Sequence, residues 1–183
     1  MKTMFKILAS VIFIGFATQV NAQKVFSTKS GQLLFNASGG IETIAAVNNQ
    51  VDSKLASATG QFVIAALVKG FKFENQLMED HFNENYMEST KFPSSDFKGY
   101  ITNIKDIDFS KDGTYTANFD GNLTIHGVVQ KVTTKGQIKV KQGKPTISGE
   151  FSIKLKDYGI SGSYIGDKIA GVVTIRVNCT YQN

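Results

Sequence analysis

The sequence predicts an all-β protein, an eight-stranded antiparallel barrel with one short helix. From about residue 95 onward, apolar and polar residues alternate with a period of two, and glycine-containing turns interrupt the alternation. This pattern is typical of half-buried antiparallel strands, whose successive side chains point to opposite faces. The period alone does not distinguish a sandwich from a closed barrel. A barrel is favoured because closure removes exposed strand edges.

Three strands are predicted upstream, at QLLFNA, near IETIAAVNNQV and at SATGQFVIAALVKG, the last being apolar on both faces. Five more follow, at FKGYITNIKDIDF, GTYTANFDGNLTI, VTTKGQIKVK, TISGEFSIKLK and KIAGVVTIRVNCTY. In the first of these five, the apolar phase begins with Phe97 and Ile101 and then shifts to Ile104. The shift indicates a β-bulge.

One helix is predicted, at QLMEDHFNENYM. Met78, Phe82 and Tyr86 recur at every fourth residue and define one apolar face. Asn75 precedes the segment and can cap its N-terminus. Pro93 separates the helix from the next strand, because the residue before a proline disfavours helical geometry.

Residues 1–22 are predicted to be a signal peptide, which leaves a barrel domain of residues 23–183. MKTMFK carries two lysines, ILASVIFIGFA is a short apolar run, and VNA has the form of a signal-peptidase site. The run is shorter than the roughly 20 residues that a membrane-spanning helix needs. A lipoprotein would need a cysteine at the cleavage point, but the only cysteine is Cys179. We therefore expect a periplasmic or secreted protein that is soluble after cleavage and starts at Gln23.

The charge of the chain argues against nucleic acid as a partner. The net charge is +5, and removal of Lys2 and Lys6 leaves 18 basic and 15 acidic residues, a net charge of +3. Nucleic-acid-binding domains carry a far stronger basic excess. The single cysteine excludes an intramolecular disulfide.

The residues that could support catalysis or bind a metal are few. His81, His126 and Cys179 show none of the short spacings that metal sites use, and the chain has no G-x-S-x-G elbow or phosphate-binding glycine loop. His126 lies on the polar phase of its strand, directly before Gly127, and is interpreted as an outward or turn-stabilising residue. We therefore predict no enzymatic activity, no metal and no cofactor.

The segment GTYTANFDGNLTIHGVVQKVT closely resembles the G-x-Y-x-V-x-G-x-L-T-I-H-G-V-x-x-x-V region of the YceI-like family of exported, lipocalin-like proteins. MEDHFNENYMESTKFPSSDFKG resembles the helix and aromatic-proline segment of that family, GQLLFNA its first long strand, and KDYGI its D-(F/Y)-G element. The resemblance covers essentially the whole mature chain. It implies a lipocalin-like barrel with the helix near one end and a long apolar amphiphile in its lumen, typically a polyisoprenoid or isoprenoid quinone.

The expected function is therefore non-catalytic binding, carriage or storage of such a lipid, or of a fatty-acid-like one, in the barrel lumen. The alternative is a structural or stress-related interaction protein with a packed barrel core and no ligand. The candidates for contact with a lipid are inward-phase apolar residues and one residue of the helix: Phe35, Phe62, Ile64, Phe82, Phe97, Ile101, Tyr115, Ala117, Phe119, Leu123, Phe151, Ile153, Val173 and Ile175.

Six lysines on the polar phases of two consecutive strands could form one basic face: Lys131, Lys135, Lys139, Lys141, Lys154 and Lys156. An ordinary solvated sheet face explains them. The alternative is transient docking to an anionic membrane surface, which attracts basic residues. The predicted partners are thus a hydrophobic lipid and, on this alternative, such a membrane, and formation of a homodimer is left open.

Overall fold

The computed structural model describes residues 24–38 and 44–182. The predicted signal peptide and the predicted start at Gln23 lie outside these residues. The strands are β1 Val25–Ser38, β2 Ala45–Ala56, β3 Gln61–Leu67, β4 Lys72–Phe73, β5 Ser94–Ile101, β6 Gly113–Ile125, β7 Val128–Lys141, β8 Lys144–Lys154 and β9 Ile169–Thr180. The α-helix α1 spans Gln76–His81 and continues directly into a π-helical turn, Phe82–Tyr86.

Eight of the strands in the described residues form a closed antiparallel barrel. Their order around the barrel is β1, β9, β8, β7, β6, β5, β3 and β2, and β2 pairs with β1 to complete the circle. The short β4 pairs with β2 at the edge of the sheet, where Phe73 lies opposite Ala46. The prediction of an eight-stranded antiparallel barrel with one short helix is confirmed.

Two tight turns set the register of the long strands. β6 and β7 pair along their whole length, and His126 and Gly127 between them have φ values of 51° and 75°. Gln142 and Gly143 connect β7 to β8 with φ values of 51° and 71°. Positive φ at both central residues is what a type I′ turn requires, and this turn matches the right-handed twist of hairpin strands.

The interior divides into two clusters of buried side chains. The closed-end cluster lies away from the helix and includes Phe26, Val51, Leu55, Phe62, Ala117, Phe119, Ile138 and Tyr181. The helix-end cluster lies beneath α1 and includes Ala37, Val68, Met87, Leu123, Ile125, Ile153 and Tyr158. Phe97 packs against both clusters and marks their boundary.

A buried hydroxyl pair holds the closed end together. The Ser53 hydroxyl donates to the carbonyl of Val63 at 2.8 Å, and its oxygen lies 2.7 Å from the hydroxyl of Tyr181. Because Ser53 has a single proton to donate, Tyr181 is the donor of the second bond. The bonds link β2 to β3 and to the residues that follow β9, and they give both of these buried hydroxyls a partner.

The bulge predicted near Ile104 is wrong, because β5 ends at Ile101 and a 3₁₀ turn, Ile104–Asp106, follows. The amide of Asn103 takes over the pairing with β6. Its nitrogen donates to the Thr116 carbonyl at 3.0 Å, and its oxygen accepts the Asn118 N–H at 2.8 Å. The Asn103 side chain thus makes the hydrogen bonds to β6 that a strand backbone would otherwise make. The backbone can therefore leave the sheet after β5.

Candidate functional site

The helix end of the barrel contains an apolar cavity of about 490 Å³. Its walls come from β1, β3, β5, β6, β8 and β9, while the helix and the loop at residues 160–168 border it from above. Ligand sites in proteins range over about 300–1,000 Å³ and are lined predominantly by apolar groups. The size and the lining of this cavity are therefore those of a small-molecule site.

The helix is positioned over the cavity by its cap and by a group of phenylalanines. The Asn75 side chain accepts the Met78 N–H at 2.9 Å, as predicted, and fixes the first turn. The ring of Phe82 stacks on that of Phe35 in the barrel wall at 5.3 Å and lies 5.0 Å from that of Phe73. The predicted helical face of Met78, Phe82 and Tyr86 lines the cavity.

None of the residues of α1 is buried, although the helix carries an apolar face. A helix of a globular protein normally buries such a face against a packed core. Here that face borders open space instead.

The rim of the cavity combines exposed apolar and polar groups. Leu77 and Tyr164 both line the cavity although they are 64% and 50% exposed. The Lys168 ammonium lies 5.5 Å from the centre of the Tyr164 ring, and His81 and Lys168 also line the cavity. An apolar interior with a mixed rim suits a ligand with one apolar and one polar end.

The loop at residues 160–168 closes against the π-helical turn through Tyr86. A Cβ atom at Gly162 would lie 2.6 Å from a ring carbon of Tyr86, so the ring rests on the loop backbone. Burial raises the pKa of the Tyr86 hydroxyl, and electrostatic repulsion from the neighbouring Tyr164 adds to this effect. The hydroxyl is therefore neutral at physiological pH and adds no charge to the cavity.

Nine of the fourteen lipid-contact candidates line this cavity: Phe35, Ile64, Phe82, Phe97, Leu123, Phe151, Ile153, Val173 and Ile175. The other five face inward but lie outside the lining, in or against the closed-end cluster: Phe62, Ile101, Tyr115, Ala117 and Phe119. At their level the barrel is filled by side chains. Contact with a lipid remains a prediction for all fourteen.

Sequence reasoning missed several lining residues, among them Leu33, Phe71, Phe73 and Leu77. Phe71 and Phe73 sit on a short segment between β3 and the helix. The alternation of FKF before Asn75 is a signal that could have found them, because it places both rings on one side of an extended chain.

His126 lies in the β6–β7 turn and has structural partners. Its Nε2 is 2.7 Å from Oε2 of Glu88, and its Nδ1 is 3.3 Å from the carbonyl oxygen of Tyr158. Its ring also packs against Phe92 at 4.5 Å. The imidazole thus joins the turn to the segment after the helix and to the 3₁₀ turn that ends at Tyr158.

The other chemically reactive groups lie elsewhere. Cys179 is buried near the closed end, and burial raises the pKa of its thiol to about 11, so that it is protonated and unreactive near neutral pH. Across residues 24–38 and 44–182, no cluster of three or more His, Cys, Asp or Glu side chains is suited to a metal ion. In the same ranges, no helix has the length and apolar character to cross a membrane.

The closed eight-stranded barrel and its cavity beneath one helix define a lipocalin-like β-barrel protein. Within that class, the chain belongs to the YceI-like family, because the model of the YceI-like domain matches residues 15–181. The resemblance noted in the sequence is confirmed. Comparison with curated proteins gives no match.

Two solved structures share the fold. BcnA from Burkholderia cenocepacia is 15% identical, with a TM-score of 0.69, over 84% of this chain and 96% of its own. A polyisoprenoid binding domain from Saccharophagus degradans, implicated in plant cell wall breakdown, is 11% identical, with a TM-score of 0.75, over 88% of this chain and 99% of its own. At such identities the likeness concerns the fold alone.

Proposed function

We propose that this protein binds a long apolar amphiphile in the cavity and carries or stores it without changing it chemically. A polyisoprenoid, an isoprenoid quinone or a fatty-acid-like lipid would fit. The observation that carries the proposal is the apolar cavity of about 490 Å³ in a barrel whose other half is packed. Membership of the YceI-like family and the fold shared with a polyisoprenoid binding domain support it.

Burial of the chain supplies the binding energy. At about 0.8 kcal/mol per buried CH₂, an isoprenyl unit of five carbons contributes about 4 kcal/mol. Association costs about 4–15 kcal/mol in lost freedom, so tight binding needs several such units. A long chain is therefore a better ligand than a small apolar molecule.

The rim places the polar end of the amphiphile. Leu77 and Tyr164 would contact the part of the chain that leaves the cavity, and Lys168 could pair with an oxygen of the head group. His126 is held by structural contacts and Cys179 is buried near the closed end, so neither side chain lines the cavity in which the lipid would bind.

Extraction of the purified protein tests this proposal. Protein isolated from its native host is extracted with organic solvent, and the extract is analysed by mass spectrometry. We expect a prenyl or long-chain lipid in near-stoichiometric amount. Recovery of no lipid from several independent preparations would favour the alternative, a structural or stress-related interaction protein.

We also propose that the protein is exported and becomes soluble after removal of residues 1–22. The VNA site and the preceding apolar run support this localisation. Intact-mass measurement on the exported protein should give a chain beginning at Gln23. A retained N-terminus would contradict it.

A further inference from the structure

Three phenylalanine rings lie across the barrel where the cavity ends. Phe97 lines the cavity, and its ring lies 5.3 Å from that of Phe62. Phe62 in turn meets Phe119 edge-on at 5.2 Å. Phe62 is 3% exposed, and neither it nor Phe119 lines the cavity. Phe62 and Phe119 belong to the closed-end cluster, and together with Phe97 they separate the cavity from the rest of that cluster.

The strands beside these rings carry glycines at the same level, so the rings fill the lumen there. Phe62 pairs with Gly99, which pairs with Gly121, so two successive wall positions beside Phe62 carry no side chain. A Cβ atom at Gly99 would lie 2.7 Å from Cα of Gly121, which shows how closely the strands approach. Likewise, a Cβ atom at Gly136 would lie 3.0 Å from a ring carbon of Phe119.

The barrel is filled on the far side of the rings. Ala117 and Ile138 are fully buried, and Ile101 is nearly so. A chain that enters from the helix end thus reaches Phe97 and then Phe62, and it finds no further space beyond them.

We propose that Phe62, which backs Phe97, determines the length of the chain that the cavity accepts. The proposal rests on the lipid-binding function proposed above and refines it. The preferred ligand is an amphiphile whose apolar chain terminates at these two rings, halfway along the barrel. A Phe62→Ala substitution removes six ring carbons, which is close to the five carbons of one isoprenyl unit.

The experiment measures the affinities of all-trans prenyl alcohols of increasing length, from geraniol through farnesol to geranylgeraniol and longer homologues. They are measured for delipidated wild type and for the Phe62→Ala variant. We expect the wild type to show a length optimum and the variant an optimum one isoprenyl unit longer. The longer homologue should gain about tenfold or more in affinity for the variant, since each added buried group strengthens binding.

Phe26→Ala is the matched control. It deletes the same ring from a fully buried position in the closed-end cluster, where Phe26 packs against Phe109 at 5.6 Å and does not line the cavity. The control should lose stability and keep the wild-type length optimum. If Phe62→Ala does not fold, Phe62→Leu opens less space and should shift the preference in the same direction by a smaller amount.

The outcomes separate the two proposals. If the wild type binds with a defined optimum and both Phe62 variants keep it, the role of Phe62 is overturned while lipid binding stands. If Phe26→Ala shifts the length optimum as much as Phe62→Ala does, the role of Phe62 is also overturned. The shift would then come from a general loss of core packing. If the wild type binds no homologue, the proposed function fails for prenyl lipids, and the role of Phe62 fails with it.

Discussion

Ala117 is a small residue in the barrel interior, and its surroundings indicate whether the barrel is filled at that level. It sits on β6 between Tyr115 and Phe119, pairs with Gly136 and is fully buried. A small residue on an inward phase could mark either a cavity or a tight contact. In this barrel it marks a tight contact, because Ala117 belongs to the closed-end cluster and is absent from the cavity lining.

We expect Ala117→Leu to destabilise the protein by about 1–3 kcal/mol through overpacking, while lipid retention stays at the wild-type level. The measurements are the urea unfolding midpoint and the amount of extracted lipid. Ala37→Leu is the control, because Ala37 lines the cavity and the larger side chain should displace lipid there. An Ala117→Leu variant with an unchanged midpoint and reduced lipid would show that the cavity extends to its level.

For a single residue, the sequence indicates the face of the strand but not the depth inside the barrel. A period of two identifies the inward face of a strand, and Phe119 and Leu123 both lie inward, as it predicts. It contains no information on depth along the barrel axis, which depends on the tilt and stagger of eight strands. Leu123 therefore lines the cavity and Phe119 does not, although the two residues have the same phase.

The β6–β7 turn packs against the segment that follows the helix. Gly127 has a φ of 75°, and a Cβ atom there would lie 2.6 Å from a ring carbon of Phe92. Phe92 also packs on His126, whose imidazole forms a hydrogen bond with the carboxylate of Glu88. The turn thus needs glycine for two reasons, its backbone conformation and the close approach of an aromatic ring.

Gly127→Ala should lower the free energy of unfolding by more than Gly143→Ala does. Gly143 has nearly the same positive φ, 71°, in the β7–β8 turn, but a Cβ atom there would meet nothing within 4 Å. Each alanine carries the cost of left-handed backbone, about 1–3 kcal/mol. Only Gly127→Ala adds the clash with Phe92. Urea unfolding of both variants measures the difference, and equal losses would show that the Phe92 contact contributes nothing.

The elements differ in how well local sequence specifies them. The hairpin of β6 and β7 follows from alternation and a glycine turn, both of which are local signals. β4 and the end of β5 are set by distant partners. Phe73 becomes a strand residue only because it pairs with Ala46, and Asn103 ends β5 by bonding to Thr116 and Asn118. A single sequence shows neither contact.

Exposed lysines are grouped on one side of the barrel, on and beside the neighbouring strands β7 and β8. The six lysines of the predicted basic face are all exposed: Lys131, Lys135, Lys139, Lys141, Lys154 and Lys156. Within the part of the chain that the structure describes, Lys131 is paired with Asp120 at 3.4 Å and the other five form no ion pair. Lys156 is the exception to the predicted placement on a strand, because β8 ends at Lys154 and Lys156 lies in the 3₁₀ turn that follows. Uncompensated cations on one surface give a field that extends into solvent, which favours an anionic surface as partner.

We propose that this face docks transiently on anionic membranes, where each lysine contributes about 1 kcal/mol. Replacing Lys135, Lys139 and Lys154 with glutamate should then weaken binding to phosphatidylserine-containing vesicles about a hundredfold or more in a sedimentation assay. Wild-type binding should also weaken as salt shortens the Debye length from about 30 to 10 Å. The control reverses three exposed lysines elsewhere, Lys29, Lys54 and Lys105, which gives the same net charge. Equal loss in both variants would attribute binding to net charge alone, and unaltered binding in the first would refute docking through this face.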